Sequence, residues 1–121
     1  MLKIEIDQQH GIVVLEPTGP LSKTDFIEVA KIVDPFIAEN GDLQGLIIHT
    51  KDFPGWDSFG ALANHLKFVR NHHKNLSRVA VVTDSALGDF AEAIASHFVA
   101  AEIKHYPFGQ LDSARRWILD V

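Results

Sequence analysis

The sequence predicts an α/β domain built on a mixed, mainly parallel five-stranded sheet with about four helices. One observation behind this prediction is that short apolar runs of strand length alternate with amphipathic stretches of helix length. The other is that helical stretches separate the strands after the first two, which is how parallel neighbours are usually joined. At 121 residues and 13.4 kDa the chain fits a single domain, residues 1–121.

The first two strands are expected to form a hairpin. Leu2, Ile4 and Ile6 alternate with charged residues, which is the period of a strand with one buried face. A polar turn ending in Gly11 leads to an apolar run at residues 12–15. Because the turn between the two runs is short, we expect them to pair antiparallel.

A helix is expected after the hairpin. Ser22, with Asp25 three residues later, has the pattern of a capping box, which satisfies free N–H groups at the start of a helix. Pro35 is expected to kink or shorten this helix, because proline lacks the N–H that a helix needs. Asn40 and Gly41 are expected to end it, because glycine tolerates a left-handed backbone.

The rest of the chain predicts three more strands and three more helices. Short apolar or alternating runs predict strands at residues 45–49, 78–82 and 102–106. Amphipathic stretches predict helices from about Asp57, after a cap at Asp84 or Ser85, and over residues 112–119. The last of these helices is expected to bury Ala114, Trp117 and Ile118.

Composition and motifs argue against several classes of function. The chain has no cysteine, which excludes thiol nucleophiles, zinc–cysteine sites and disulfides. It carries none of the sequence motifs of nucleotide-binding loops, serine nucleophiles or helical zinc sites. Its apolar runs are too short to span a bilayer. We therefore expect a cytoplasmic protein that is not an enzyme, with no catalytic residues, no metal and no cofactor.

Two residue types, aspartate and histidine, are candidates for metal or phospho-acceptor sites. Asp52, Asp57 and Asp84 fall near the carboxyl ends of strands, where open α/β sheets place ligands. Loops use aspartate as readily for turns and helix caps, and that interpretation is favoured. The seven histidines are interpreted as solvated or partly buried. His65 and His72, for example, lie two helical turns apart, which is too far for one ion.

Charge is distributed unevenly along the chain. The net charge of −5 argues against binding to nucleic acid. From Ser58 to Thr83, however, 26 residues contain no Asp or Glu, and we call this stretch the acid-free run. Its bases are Lys67, Arg70, Lys74 and Arg78.

The candidate binding surface is the predicted helix over residues 57–75 with the loop before it. Phe59 begins an apolar stripe that is expected to face the core, while Phe68 lies on the opposite side of the helix. An outward aromatic side chain beside a basic end suits an anionic lipid surface or an acidic partner. The expected contacts are Phe53, Trp56, Lys67, Phe68, Arg70 and Lys74.

Four stretches of the chain carry a family resemblance. They are Gly19-x-Leu21-Ser22-x-x-Asp25-Phe26, then Phe53-Pro54-Gly55-Trp56 between two apolar strands, then Ala101-Glu102-Ile103-Lys104-x-Tyr106, and Ala114-x-x-Trp117-Ile118. Together they resemble the SpoIIAA-like family, also described as STAS or SEC14-type domains, and the resemblance extends over nearly the whole chain.

The resemblance implies two kinds of function. Anti-sigma-factor antagonists of this fold are regulated by phosphorylation of the second serine in a D-S-S-G motif. In this chain the stretch Asp57-Ser58-Phe59-Gly60 resembles that motif. Phe59 replaces the acceptor serine, which leaves Ser58 as the candidate for phosphorylation. Lipid carriers of the SEC14 or CRAL-TRIO type hold a hydrophobic ligand and associate reversibly with membranes.

The aromatic and basic residues of the candidate surface favour the lipid-carrier interpretation. We expect a small hydrophobic ligand or peripheral contact with an anionic membrane. For a chain of this length, the resemblance implies a shallow pocket or a homodimer interface rather than a deep cavity. The alternative is a regulatory module that binds a protein partner through the same helix face.

Overall fold

The computed structural model describes residues 2–20, 22–52, 76–84 and 102–120. Their strands are β1 (Leu2–Asp7), β2 (Ile12–Pro17), β3 (Leu43–His49), β4 (Leu76–Val82) and β5 (Glu102–Tyr106), and their helices are α1 (Lys23–Asn40) and α2 (Leu111–Leu119). Neither α1 nor α2 is long and apolar enough to cross a membrane. The helices predicted from about Asp57 and after Asp84 lie outside the described residues.

The five strands form one sheet in the order β1-β2-β3-β4-β5. β1 and β2 are antiparallel, with Ile4 opposite Leu15, and every later pair is parallel. The predicted mixed, mainly parallel α/β fold is therefore confirmed. β3 and β4 each begin two residues earlier than expected, because Leu43 and Leu76 pair across the sheet and extend the ladder.

Gly11 forms the turn that joins β1 to β2. Its φ is 68°, in the left-handed region that glycine adopts without a Cβ penalty. Its N–H donates to the carbonyl oxygen of Asp7 over 2.8 Å and closes the turn. The Gly11 carbonyl in turn accepts from the N–H of Gln44 over 2.9 Å. The same turn therefore holds the start of β3 beside β2.

Both ends of α1 form as the sequence predicts. The Ser22 hydroxyl accepts from the Asp25 N–H over 3.3 Å, and the Asp25 carboxylate accepts from the Ser22 N–H over 2.9 Å. This reciprocal pair confirms the capping box. At the other end, Gly41 has a φ of 86° and donates its N–H to the Ile37 carbonyl over 2.9 Å.

Pro35 lies inside α1, which continues to Asn40. Of the two expected effects of this proline, the structure therefore excludes the shortening of the helix, and the kink stays a prediction. An interior proline costs a helix about 3 kcal/mol, since a carbonyl one turn earlier loses its donor. That carbonyl belongs to Lys31, and both residues are exposed, so water can reach it. On the buried side, Val29 and Val33 are 1% and 0% exposed. Burial contributes about 1.5–3 kcal/mol for each such side chain, which outweighs the proline.

Each face of the sheet carries an apolar layer. The layer that includes α1 contains Val13, Leu15, Val29, Val33, Leu43 and Leu46. The layer that includes α2 contains Ile12, Val14, Ile47, Ala80, Val82, Tyr106, Ala114 and Ile118. α2 buries Ala114 and Ile118 as expected, but Trp117 is only half-buried.

Gly45 allows α2 to lie close to the sheet. A Cβ atom at this position would lie only 2.5 Å from Cγ2 of Ile118 and 2.7 Å from its Cδ1. Ordinary carbon contacts are about 3.5–4.0 Å, so the Ile118 side chain occupies the space that any larger residue would need.

Candidate functional site

The predicted contact residues all fall between residues 53 and 75, outside the described part of the chain. They are Phe53, Trp56, Lys67, Phe68, Arg70 and Lys74, together with the phosphorylation candidate Ser58. Their roles remain predictions. The structure does describe the residues on either side of this segment, which are Lys51 and Asp52 before it and β4 after it.

Hydrogen bonds join the chain just beyond the ends of β3 and β4, and we call Thr50, Lys51, Thr83 and Asp84 the strand-end cluster. The Thr50 N–H donates to the Val82 carbonyl over 3.1 Å, and the Asp84 N–H donates to the Lys51 carbonyl over 3.1 Å. The Thr83 hydroxyl donates to the same Lys51 carbonyl over 3.1 Å. The pairing of the two parallel strands thus continues past their last residues.

The threonines of the strand-end cluster are almost excluded from water. Thr50 is 8% exposed and Thr83 is 0% exposed. A buried hydroxyl is costly unless it is hydrogen-bonded. Just as the Thr83 hydroxyl bonds Lys51, the Thr50 hydroxyl donates to the Asp52 carbonyl over 3.2 Å. Both hydroxyls therefore hold backbone carbonyls and restrain the chain as it approaches residue 53.

β5 and the loop after it are connected to the same cluster. The Thr83 N–H donates to the Tyr106 carbonyl over 2.9 Å. Nε2 of His105 lies 2.8 Å from the Thr83 carbonyl oxygen, and since a carbonyl only accepts, Nε2 carries the proton. The Asp84 carboxylate accepts from the Phe108 N–H over 3.0 Å. Three parallel strands therefore end at one hydrogen-bonded edge, which is where α/β sheets commonly place ligands.

His49, at the end of β3, contacts the loop after β5. Its ring is stacked on Phe108, with the ring centroids 4.4 Å apart and the planes at 6°. Its Nε2 donates to the Phe108 carbonyl, which is 3.3 Å away. Nδ1 is buried, and it finds no hydrogen-bond partner within the described residues. The described histidines of this edge, His49 and His105, are thus partly buried and bond backbone carbonyls.

The sequence offers the aspartates near this edge two roles, as metal ligands or as helix caps. The Asp84 carboxylate fixes a backbone N–H, Asp52 is exposed, and Asp57 lies outside the described residues. Within residues 2–20, 22–52, 76–84 and 102–120, no group of three or more His, Asp or Glu side chains could hold a metal ion. The contact of Asp84 therefore fits a structural role.

Arg78, the last base of the acid-free run, contacts α2. Its Cζ lies 5.2 Å from the centroid of the Trp117 ring, and its Nη1 donates to the Trp117 carbonyl. The Asp120 carboxylate is 3.7 Å from the same Nη1. Lys104 adds a second cation 5.9 Å from the Trp117 ring. These contacts hold the end of α2 against the start of β4.

Sequence reasoning grouped Arg78 with the other bases of the run and missed this role. A usable signal was its position in an alternating strand. Arg78, Ala80 and Val82 share one face, and the last two are 0% exposed in the layer that includes α2. A base on a buried face needs a partner in the fold, and the half-buried Trp117 supplies one.

Comparison with known proteins agrees with this architecture. The family model described as SpoIIAA-like matches residues 12–119. A solved structure of an uncharacterized protein from the DUF3478 family of Shewanella loihica PV-4, with a SpoIIAA-like fold, has a TM-score of 0.75. Its sequence is 22% identical to that of this chain, and the match covers 98% of this chain and 92% of the Shewanella protein. This likeness shows the shared fold. No curated protein matches the chain. Since the family model spans most of the sequence, this chain belongs to the SpoIIAA-like family.

Proposed function

We propose that this protein is a non-enzymatic binding module. It takes a small apolar or lipid-like ligand, or docks on an anionic membrane, through residues 57–75 and the loop before them. The observation that carries the proposal is the acid-free run, which places 26 residues without a carboxylate side chain in a chain of net charge −5. Such a run attracts anionic groups although the whole chain is acidic.

The bases expected to contact anionic groups are Lys67, Arg70 and Lys74. The fourth base of the acid-free run, Arg78, is engaged with Trp117, which is consistent with its absence from this set. The apolar contact would come from Phe53, Trp56 and Phe68.

The strand-end cluster supports a binding role for the segment that follows it. Binding sites are more selective when they rest on rigid elements. The Thr83 and Thr50 hydroxyls hold the carbonyls of Lys51 and Asp52, directly before the predicted loop. These hydroxyls are used in backbone hydrogen bonds, which is what a structural support requires.

The membrane version is tested by co-sedimentation with phosphatidylserine-containing vesicles and with neutral phosphatidylcholine vesicles. Retention is expected on the anionic vesicles only, and it should weaken as salt rises. The triple variant Lys67→Gln, Arg70→Gln, Lys74→Gln should bind about 100-fold more weakly, at about 1 kcal/mol for each base.

A matched control removes the same charge elsewhere. Lys23→Gln, Lys31→Gln and Arg116→Gln change three exposed bases outside the acid-free run and should leave retention within about twofold. Equal retention on both kinds of vesicle, no salt dependence, or equal losses in the two triple variants would contradict the membrane version.

The ligand version is tested by native mass spectrometry of protein purified gently from its host. A retained small apolar molecule that is lost in the variant Trp56→Ala, Phe68→Ala would support it. Protein that carries no added mass, or a ligand retained equally by that variant, would count against it.

Membership of the SpoIIAA-like family favours one other candidate function. In this alternative function, the same helix face binds a regulatory protein partner in the manner of an anti-sigma-factor antagonist. Phe59 stands where the family has its acceptor serine, so Ser58 would be the phosphorylated residue. Phosphate on Ser58, together with recovery of a kinase or sigma regulator on the purified protein, would favour this function. Unmodified Ser58 and no such partner would argue against it.

A further inference from the structure

β1 forms one edge of the sheet. β2 lies on one side of it, and no strand of the described residues lies on the other. An edge strand presents backbone N–H and C=O groups that can pair with a further strand. Leu2, Ile4 and Ile6 pack against the layer that includes α1 but are only half-buried, while Lys3 and Glu5 on the other face are exposed.

The pattern of β1 is complementary to itself in one register. Two copies that pair antiparallel must keep their apolar faces together, which fixes the two-fold axis at a single residue. An axis at Lys3 would oppose two lysines, and an axis at Glu5 would oppose two glutamates. An axis at Ile4 instead places Lys3 opposite Glu5 of the partner subunit and Leu2 opposite Ile6 of the partner subunit.

The pairing within the chain gives Glu5 no cation across the β1–β2 ladder. Across the β1–β2 ladder, Lys3 is opposite Glu16, whereas Glu5 is opposite the uncharged Val14. Lys3 and Glu5 also form an exposed ion pair of 3.2 Å along the strand. A second copy in the Ile4 register would give Glu5 the cross-strand cation that β2 does not provide.

We propose that β1 pairs with β1 of a second copy, so that two sheets join into one in a symmetric homodimer. Opposite charges and aliphatic side chains stabilise when they face each other across strands, and like charges destabilise. In this register residues 2–6 of β1 face the same residues of the second copy. Because pairing through five residues buries little surface, we expect a weak dimer that depends on concentration. This interface does not depend on the proposed lipid contact.

The proposal is tested by sedimentation-velocity centrifugation of the full chain over a series of protein concentrations. Wild-type protein should shift from 13.4 kDa toward twice that mass as the concentration rises. Lys3→Glu alone and Glu5→Lys alone each place like charges opposite one another twice. Each should weaken dimerisation by about tenfold or more.

Mixing the two single variants separates an interface from a folding defect. In the mixture, Glu at position 3 of one variant faces Lys at position 5 of the other, and the remaining pair is Glu5 with Lys3. The mixture should therefore recover a heterodimer, as should the double variant Lys3→Glu, Glu5→Lys on its own. Lys31→Glu, which breaks the exposed pair of Lys31 with Glu28 on α1, makes the same charge change elsewhere and should leave the dimer intact.

Three results would overturn the proposal. Wild-type protein that stays monomeric at every concentration would rule out pairing through β1. A dimer that survives both single reversals, or single variants whose mixture stays monomeric, would place the contact on another surface.

Discussion

Replacing Gly45 by alanine tests how tightly α2 lies on the sheet. The new Cβ would lie 2.5, 2.7 and 2.9 Å from three side-chain carbons of Ile118. Separations of about 3.5–4.0 Å are normal, so the helix or the side chain must move by about 1 Å. Overpacking of this kind costs about 1–3 kcal/mol. Alanine gains about 0.5–1 kcal/mol over glycine within a strand, which leaves a net loss of about 1–2 kcal/mol.

The measurement is chemical denaturation followed by circular dichroism, with thermal melts alongside. For a chain of this size, the net loss corresponds to a melting temperature lower by about 4–8 °C. In the background Ile118→Ala, the three obstructing carbons are absent. There, Gly45→Ala should be neutral or stabilise by up to about 1 kcal/mol. The coupling energy between the two sites should therefore be about 1–3 kcal/mol.

Gly109→Ala is the matched control, because a Cβ there meets no atom within 4 Å. It should change the free energy of unfolding by less than about 0.5 kcal/mol. If Gly45→Ala costs the same with Ile118 present and absent, or costs nothing with it present, the close approach of α2 does not limit this position and the reasoning fails.

Three further substitutions test local contacts. Ser22→Ala removes the cap of α1 and should lower the free energy of unfolding by about 1 kcal/mol in urea titrations. An unchanged free energy of unfolding would mean that the cap does not stabilise the fold. In the folded protein, the hydrogen bond from His10 lowers the pKa of Asp7. The ionised Asp7 side chain therefore contributes its full stabilisation of the fold above its unfolded pKa of about 3.9. That stabilisation is lost as the pH falls through the lower pKa that Asp7 has in the folded protein. The difference between wild type and Asp7→Asn in urea titrations should accordingly shrink below about pH 4, and a difference independent of pH would contradict this linkage. Thr83→Val removes one of two donors to the Lys51 carbonyl, which keeps the Asp84 N–H, and should cost about 0.5–1.5 kcal/mol by the same titration. A neutral result would show that the Thr83 hydroxyl adds no stability to the strand-end cluster.

Much of the fold followed from local patterns. The alternation in β1, the capping box at Ser22 and the left-handed Gly41 were predicted and observed, because each depends on residues only a few positions apart. The exception was Pro35, whose local penalty was real but was outweighed by the burial of Val29 and Val33. Packing against the sheet, which a linear pattern cannot weigh, decided that case.

The candidate site was predicted less completely. The sequence predicted that Asp84 lies near the carboxyl end of a strand and serves in a turn or helix cap. In the structure its carboxylate accepts from the N–H of Phe108, in the loop after β5, a contact that the sequence did not predict. The sequence also did not reveal that Thr50 and Thr83 join the strand ends, because their bonds depend on the register of β3 with β4. Nor did it separate Arg78 from the other bases of the acid-free run, since its partner Trp117 is 39 residues away.

The sequence alone predicted the five strands, α1, α2 and the uneven distribution of charge, since these follow from short-range periodicity and composition. Its resemblance to the SpoIIAA-like family rested on particular motifs and agrees with the family model. The tertiary structure alone decided which residues meet across the sheet. Gly45 beneath Ile118, Arg78 over Trp117 and the hydrogen bonds of Thr83 all join positions that are far apart in the chain. Strand order and register bring such positions together, and both are set by the packing of the whole domain rather than by any one segment.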